Sequence, residues 1–312
     1  MRNRPTPRAL LAAALVIGSL TACGDSSSGA ADEGKLAVVA AFYPLQFVAE
    51  KVGGDAVSVT NLAKPGAEPH DLELNADQVA KIADAKVVVY LKGFQPAVDE
   101  AVEQQGGDRA FDVSTAVPLL NATAEDEHEG EEAGAKEETS GKDPHVWLDP
   151  TRLATIGEKV AERLGQADPD HAADYTARAA TLRSDLDALD KEYAAGLKTC
   201  QRREIVTSHS AFGYMAERYD LEQIGITGLT PEDEPSPQRL AEVATEAREH
   251  KATTIFFETL VSPKVADTIA SEVGAKTAVL DPIEGLQPGS SDDYFSVMRK
   301  NLAALKPALG CT

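Results

Sequence analysis

The chain is predicted to be an α/β protein of two lobes, each with a parallel sheet flanked by helices, joined by one long backbone helix. Three observations predict this. Short apolar runs alternate with amphipathic stretches, the pattern of βα units whose sheet is covered on both faces. The alternation runs from Lys35 to Val113, stops, and restarts at Glu204. Between the halves lies a stretch whose apolar residues keep helical spacing for longer than one lobe requires.

In the first half, Lys35–Phe42 (KLAVVAAF) is a continuous apolar run suited to a buried strand. Tyr43–Val52 reads as a helix with Pro44 in its first turn and Gly53-Gly54 closing it. Val57–Leu62 is a second strand, followed by the loop Lys64–Leu72. Asn75 caps a helix over Ala76–Ala85, with Val79 and Ile82 on its inner face. Val87–Leu91 is a strand, Pro96–Gln104 a helix and Ala110–Val113 a fourth strand. Asn121–Asp143 breaks the pattern. It holds nine carboxylates, two lysines and His128 with no large apolar residue, so it is expected to be disordered.

The chain then enters Asp143–Pro150 (DPHVWLDP), which sets a histidine and the one tryptophan between two prolines. Thr151–Leu164 reads as a helix. Asp168-Pro169 opens a long one over Asp170–Lys198, on the order of 45 Å at 1.5 Å per residue. Tyr175, Ala179, Leu182, Leu186, Leu189 and Tyr193 form its apolar stripe. In the second half, strands are expected at Glu204–Thr207, Leu221–Ile226, Thr253–Phe257 and Lys276–Leu280. Helices are expected at Ala211–Tyr219, Pro237–His250 (capped by Ser236) and Pro263–Val273, with a last one started by Ser291 or Asp292. The organisation is thus a leader over 1–22, a tether over 23–34, a lobe over 35–166, the linking helix over 167–199 and a lobe over 200–312.

Arg2, Arg4 and Arg8 precede the apolar run Leu10–Leu20, which is too short for a mature membrane span. Leu20-Thr21-Ala22-Cys23 resembles the bacterial lipobox, whose cleavage leaves a lipidated Cys23; an ordinary secretory signal is the alternative. Losing the three leader arginines takes the formal charge from −21 to −24, which argues against nucleic acid and against anionic head groups as partners. Cys200 and Cys311 are then the remaining cysteines. In an oxidising setting they are expected to pair as a disulfide, the alternative being two thiols.

Of six histidines, His171 and His250 lie on polar helix faces and His128 lies in the acidic tract. His70, His145 and His209 sit in loops, two of them directly after a proline. A single loop histidine is most often a hydrogen-bonded structural residue. Three of them spread over both lobes point to convergence on one ligand. Asp281, at the end of a strand, is a fourth candidate, and three imidazoles with one carboxylate suit four-coordinate Zn²⁺. Glu258, also at a strand end, reads as a group behind a ligand, as an alternative oxygen donor or as a solvated carboxylate. There is no HExxH, no G-x-S-x-G elbow and no phosphate-binding glycine loop, which favours capture over catalysis.

Phe42-Tyr43-Pro44, Glu68-Pro69-His70-Asp71, Asp143–Pro150, Thr207-Ser208-His209-Ser210-Ala211-Phe212 and Val279-Leu280-Asp281-Pro282 together resemble the metal-binding receptors of ABC importers, the ZnuA-like group. The resemblance covers the chain from about Lys35. It implies a monomeric, non-enzymatic receptor that takes Zn²⁺ between its lobes and passes it to a permease with a cytoplasmic ATPase. With the lipobox, it implies lipid anchoring on the outer face of a Gram-positive membrane. His70, His145, His209 and Asp281 correspond to the ligands of that group. Manganese-preferring relatives carry a carboxylate where this chain has His209, so zinc is favoured over Mn²⁺. A receptor for manganese or another divalent metal, or an adhesin-like surface protein on the same scaffold, is the alternative. The acidic tract falls where zinc receptors often carry a histidine-rich loop, and its single histidine argues against a scavenging role.

Overall fold

A computed structural model describes Met1 and residues 34–122 and 141–312. The leader, Cys23, the tether as far as residue 33, and residues 123–140 of the acidic tract lie outside the described residues.

The two halves build one sheet topology twice. β1 (Leu36–Ala40), β2 (Val57–Asn61), β3 (Val87–Tyr90) and β4 (Ala110–Asp112) form a parallel sheet in the order β2-β1-β3-β4. Its crossovers are α1 (Tyr43–Gly53), α2 (Ala76–Asp84) and α3 (Pro96–Gln105). After α4 (Pro150–Ala167) and α5 (Ala172–Gly196) come β5 (Glu204–Thr207), β6 (Glu222–Gly225), β7 (Thr254–Phe257) and β8 (Lys276–Val279), parallel in the order β6-β5-β7-β8. Their crossovers are α6 (Gly213–Tyr219), α7 (Pro237–Glu249) and α8 (Lys264–Val273); α9 (Tyr294–Leu309) closes the chain. In such a sheet the connections leaving the two central strands diverge, and a crevice opens at the carboxyl ends where they part.

Local chemistry explains most element starts. Prolines occupy the first turn of α1, α3, α4 and α7, where a missing N–H costs nothing. Asn75 and Gln78 form a reciprocal capping box on α2 at 3.0 and 2.9 Å. Three helix starts differ from the sequence expectation by two residues or more, and of these α6 begins at Gly213 rather than Ala211. α5 begins at Ala172, because Pro169–His171 form a separate 3-10 turn. Asp168 does not cap that turn; its carboxylate accepts from His171 Nδ1 and Tyr175 Oη, both at 2.7 Å. α9 begins at Tyr294, capped by Asp293 rather than by Ser291 or Asp292. Asp293 accepts from Ser296 N and Ser296 Oγ from Asp293 N, both at 2.9 Å, while Asp292 is turned toward Lys300 Nζ at 2.6 Å.

At 25 residues α5 is about 37 Å long. Tyr175, Ala179, Leu182, Leu186, Leu189 and Tyr193 are all buried along it. This stripe packs on α4 and α1 of the first half and on α9 of the second, so one core runs through both lobes. Alternation along the strands divides the second lobe's packing. Ile205 and Phe256 face the shared core, whereas Val206 and Ile255 face a separate cluster under α7 and α8 with Ile224, Val243 and Ile269.

Cys200 and Cys311 form a disulfide that ties the start of the second lobe to the chain end. Gln201 N and Arg202 N also donate to Leu309 O there, at 3.0 and 3.1 Å. Because the bridge spans 111 residues, a Cys200→Ser/Cys311→Ser protein is expected to unfold more easily by about 2–5 kcal/mol on the chain-entropy account. Urea unfolding of the oxidised protein and the double variant measures this; equal midpoints would contradict it.

Candidate metal centre

Each of the three loop histidines is built into place by a carboxylate. His70 lies in the loop after β2, where both oxygens of Glu68 accept from His70 N at 3.1 Å. Buried Gln95 donates to Pro69 O at 3.1 Å, and the Phe94 ring stands edge-on to the His70 ring at 4.5 Å. His145 repeats the arrangement. Asp143 Oδ1 accepts from His145 N at 2.9 Å and pairs with His145 Nδ1 at 2.8 Å. Gly213 permits this approach, since a Cβ there would stand 2.6 Å from Asp143 Oδ2. Glu68-Pro69-His70 and Asp143-Pro144-His145 thus use one device: an acid two residues ahead, bent back across a proline onto the histidine N–H. The repeated acid-Pro-His spelling is the sequence signal for both carboxylates.

His209 leaves the carboxyl end of β5, and Glu258 leaves that of β7, its neighbour in the sheet. Glu258 Oε1 pairs with His209 Nδ1 and accepts from Ser208 Oγ, both at 2.8 Å. With Nδ1 of His145 and His209 held by carboxylates, Nε2 of each ring faces the centre. Trp147 holds the loop rather than entering the centre. Its Nε1 donates to Pro282 O at 2.7 Å, and its carbonyl accepts from Tyr294 Oη at 2.7 Å. Asp149 caps α4 by accepting from Thr151 N at 2.8 Å.

The fourth donor that the structure brings to the histidines is Glu284, not Asp281. Glu284 Oε1 lies 3.3 Å from His70 Nε2, 3.1 Å from His145 Nε2 and 3.3 Å from His209 Nε2. The four donor atoms all lie within 4.8 Å of one another. Asp281 is occupied elsewhere, because its carboxylate accepts from Thr259 Oγ1 at 2.6 Å and from Ile283 N at 2.7 Å. It closes the turn from which Glu284 projects. The centre is shut off from water: His145 and Glu284 are 0% exposed, His209 1% and His70 8%. Among the described residues, the buried atoms His209 Nε2, Glu258 Oε2 and Glu284 Oε2 have no hydrogen-bond partner; the 3.3 Å His209–Glu284 approach is not aligned for one. Three imidazole nitrogens, one carboxylate and orphaned polar atoms around one point form a set able to hold a divalent cation.

Burial favours the neutral form of every group here, and the outcome depends on the neighbours. It prevails at His70, which is held below the ordinary imidazole value against the pull of Glu284. At His145, burial is outweighed by Asp143 and Glu284, which hold the ring above that value. At His209, burial is outweighed by Glu258 and Glu284, which hold it well above. Burial likewise opposes the Glu284 charge, yet His70, His145 and His209 keep the carboxyl well below its usual range. Glu68 is pushed up to about 9 by burial and then by the Glu284 charge beside it.

Two parallel sheets with a metal-type donor set between them define the class of two-lobed capture proteins. The chain belongs to the ZnuA family, described as zinc-uptake complex component A, periplasmic, which it matches over residues 38–308. It is 37% identical to the high-affinity zinc uptake system protein ZnuA of Bacillus subtilis, covering 93% of both chains. Its fold is similar to that of Zn(II)-bound AdcA from Streptococcus pneumoniae, with a TM-score of 0.74 and 35% identity over 88% of this chain. The chain spans 58% of that AdcA chain. It is also similar to the laminin-binding protein Lmb of Streptococcus agalactiae, described as bifunctional with adhesin and metal-transporting activity (TM-score 0.76, 31% identity, 88% of this chain and 99% of that one).

In the metal-free protein, NMR titration of the imidazoles is expected to find His145 and His209 still protonated above pH ~6.5 and His70 titrating below it. Glu284→Gln removes the shared anion and is expected to lower both raised values. Values that stay put would contradict the pairing.

Proposed function

We propose that this protein captures Zn²⁺ between its lobes on His70, His145, His209 and Glu284 and delivers it to an ABC permease with a cytoplasmic ATPase. The observation that carries the reading is the convergence of three Nε2 atoms and one carboxylate oxygen, from loops of both lobes, on one buried point. Its kinship with zinc-uptake proteins and its likeness to zinc-bound AdcA support the same ion. Imidazole at His209 in place of an oxygen donor biases the set toward Zn²⁺ and away from Mn²⁺. Glu258 and Asp143 orient His209 and His145 from behind, which fixes the tautomer and raises ligand basicity. The ion is cargo: it is coordinated and later released, and no substrate is chemically converted. The proposal includes a monomer held by lipid on Cys23 at the outer face of a Gram-positive cell membrane.

Calorimetry on the mature domain is expected to give one Zn²⁺ per chain at neutral pH. The His145→Ala/His209→Ala protein should lose at least about a hundredfold in affinity, ~2.7 kcal/mol; unchanged binding would refute the site. The sign of the pH dependence follows from the raised histidines. Below their folded values, His145 and His209 must each release a proton before Nε2 can donate. Apparent affinity therefore falls as pH drops, by up to about a hundredfold per pH unit while both are protonated. Chelator competition across pH 5.5–8 reads this slope, about 2 at most for two protons. Excising residues 123–140, which hold none of the donors, should leave affinity within about tenfold, ~1.4 kcal/mol.

A further inference from the structure

Asn301 stands in the interior of α9, 1% exposed, at a helical position that does not favour asparagine. A buried carboxamide is tolerated where its donors and acceptor are satisfied. Here both ends are used on one residue: Asn301 Oδ1 accepts from Asp281 N at 2.9 Å, and Asn301 Nδ2 donates to Asp281 O at 2.7 Å. β8 is the edge strand of its sheet, so the chain beyond it has no further strand to pair with. The Asn301 amide supplies the missing pair of ladder bonds and holds the Asp281 backbone. Asp281 then uses its carboxylate on Ile283 N at 2.7 Å and Thr259 Oγ1 at 2.6 Å. Ile283 is fully buried with φ +62°, a region that β-branched residues enter only when their surroundings force it. The next residue is Glu284.

We propose that Asn301 is the positioning residue that sets Glu284 among the three histidines, acting through the Asp281–Ile283 turn. This rests on Glu284 being a zinc donor. Asn301 touches none of the donors itself; its amide fixes the backbone from which Asp281 holds Ile283 left-handed and so aims Glu284 Oε1 at the centre. The rival is a purely structural bolt between α9 and β8, which would cost stability without selecting the Glu284 geometry.

A double-mutant cycle separates the two. Zinc affinity is measured by chelator competition on wild type, Asn301→Ala, Glu284→Gln and the double variant, with the visible spectrum of the cobalt-loaded proteins as a second readout. Asn301→Ala is expected to lose about 10- to 100-fold in affinity, the range for residues that orient metal ligands. On the Glu284→Gln background the further loss should shrink below about twofold, since the aim of an absent donor no longer matters. The cobalt spectrum of Asn301→Ala should move toward that of Glu284→Gln. Equal losses on both backgrounds, or none on either, overturn the proposal. If Asn301→Ala does not fold, Asp281→Asn and Asp281→Ala replace it. Asn keeps an acceptor for Ile283 N and should bind within about threefold of wild type, whereas Ala should lose about tenfold or more. Equal losses for both would make the Asp281 carboxylate itself a donor and overturn the positioning role. Unchanged affinity in Glu284→Gln would overturn the zinc-site reading and this inference with it. A loss there beside an unaffected Asn301→Ala overturns only this inference.

Discussion

One oxygen, Glu284 Oε1, within 3.3 Å of three imidazole nitrogens, sets the terms for much of the molecule. A carboxylate taken wholly out of water and left unpaired would cost several kcal/mol. His145 and His209 offset that cost by holding protons against it, and they can do so only if their own orientation is enforced. Asp143 and Glu258 enforce it for His145 and His209 through Nδ1, and Glu68 does so for His70 through the main chain. The metal-free centre therefore sets two rings that favour their protonated form, His145 and His209, beside carboxylates, and an incoming cation exchanges with those protons. Zinc capture in this scaffold is a proton-for-metal exchange on a frame already assembled.

That frame comes from duplicating a sheet of one strand order and running α5 across both copies. Loops leaving the carboxyl ends of β2 and β5 supply His70 and His209, and the turn after β8 supplies Glu284. Trp147 then couples the halves without passing through the centre. Its indole reaches Pro282 O, and its own carbonyl is held by Tyr294 of α9. The histidine loop of the first lobe and the glutamate turn of the second are thus held together at two places: at the donors and at a packed aromatic beside them.

The parallel sheets, the long helix and the three histidines were legible because each is written locally: apolar runs, a stripe of period 3.6, and loop imidazoles, two of them directly after a proline. The fourth donor was not. Asp281 and Glu284 lie three residues apart on one turn, and which of them points inward depends on Ile283 at φ +62°, where no local preference would put it. Asp281 holds Ile283 N, and Asp281 is itself held by Asn301, 20 residues further on, a contact that only the folded chain reveals. The same holds for the start of α9. Asp292 and Asp293 are equally good caps on paper; in the fold Asp293 takes the capping box with Ser296, and Asp292 pairs with Lys300 and accepts from Ser296 Oγ at 3.0 Å. Carboxylates were easy to find in this acidic chain and hard to assign, because tertiary partners choose among them.

The phenol of Tyr214, on α6, accepts from Leu120 N at 2.9 Å and donates to Asp143 O at 2.7 Å. Asp143 N donates to Leu120 O, and Asn121 bridges to Lys142. The two strands of backbone that lead into and out of residues 123–140 are therefore clasped to each other and to the second lobe before that stretch begins. These bonds pin the backbone of Asp143, the residue whose carboxylate stands behind His145. This makes the position a natural port for protein engineering: a fluorescent reporter or an affinity handle could be spliced between Ala122 and Gly141, beyond the point where the flanking backbone is clasped.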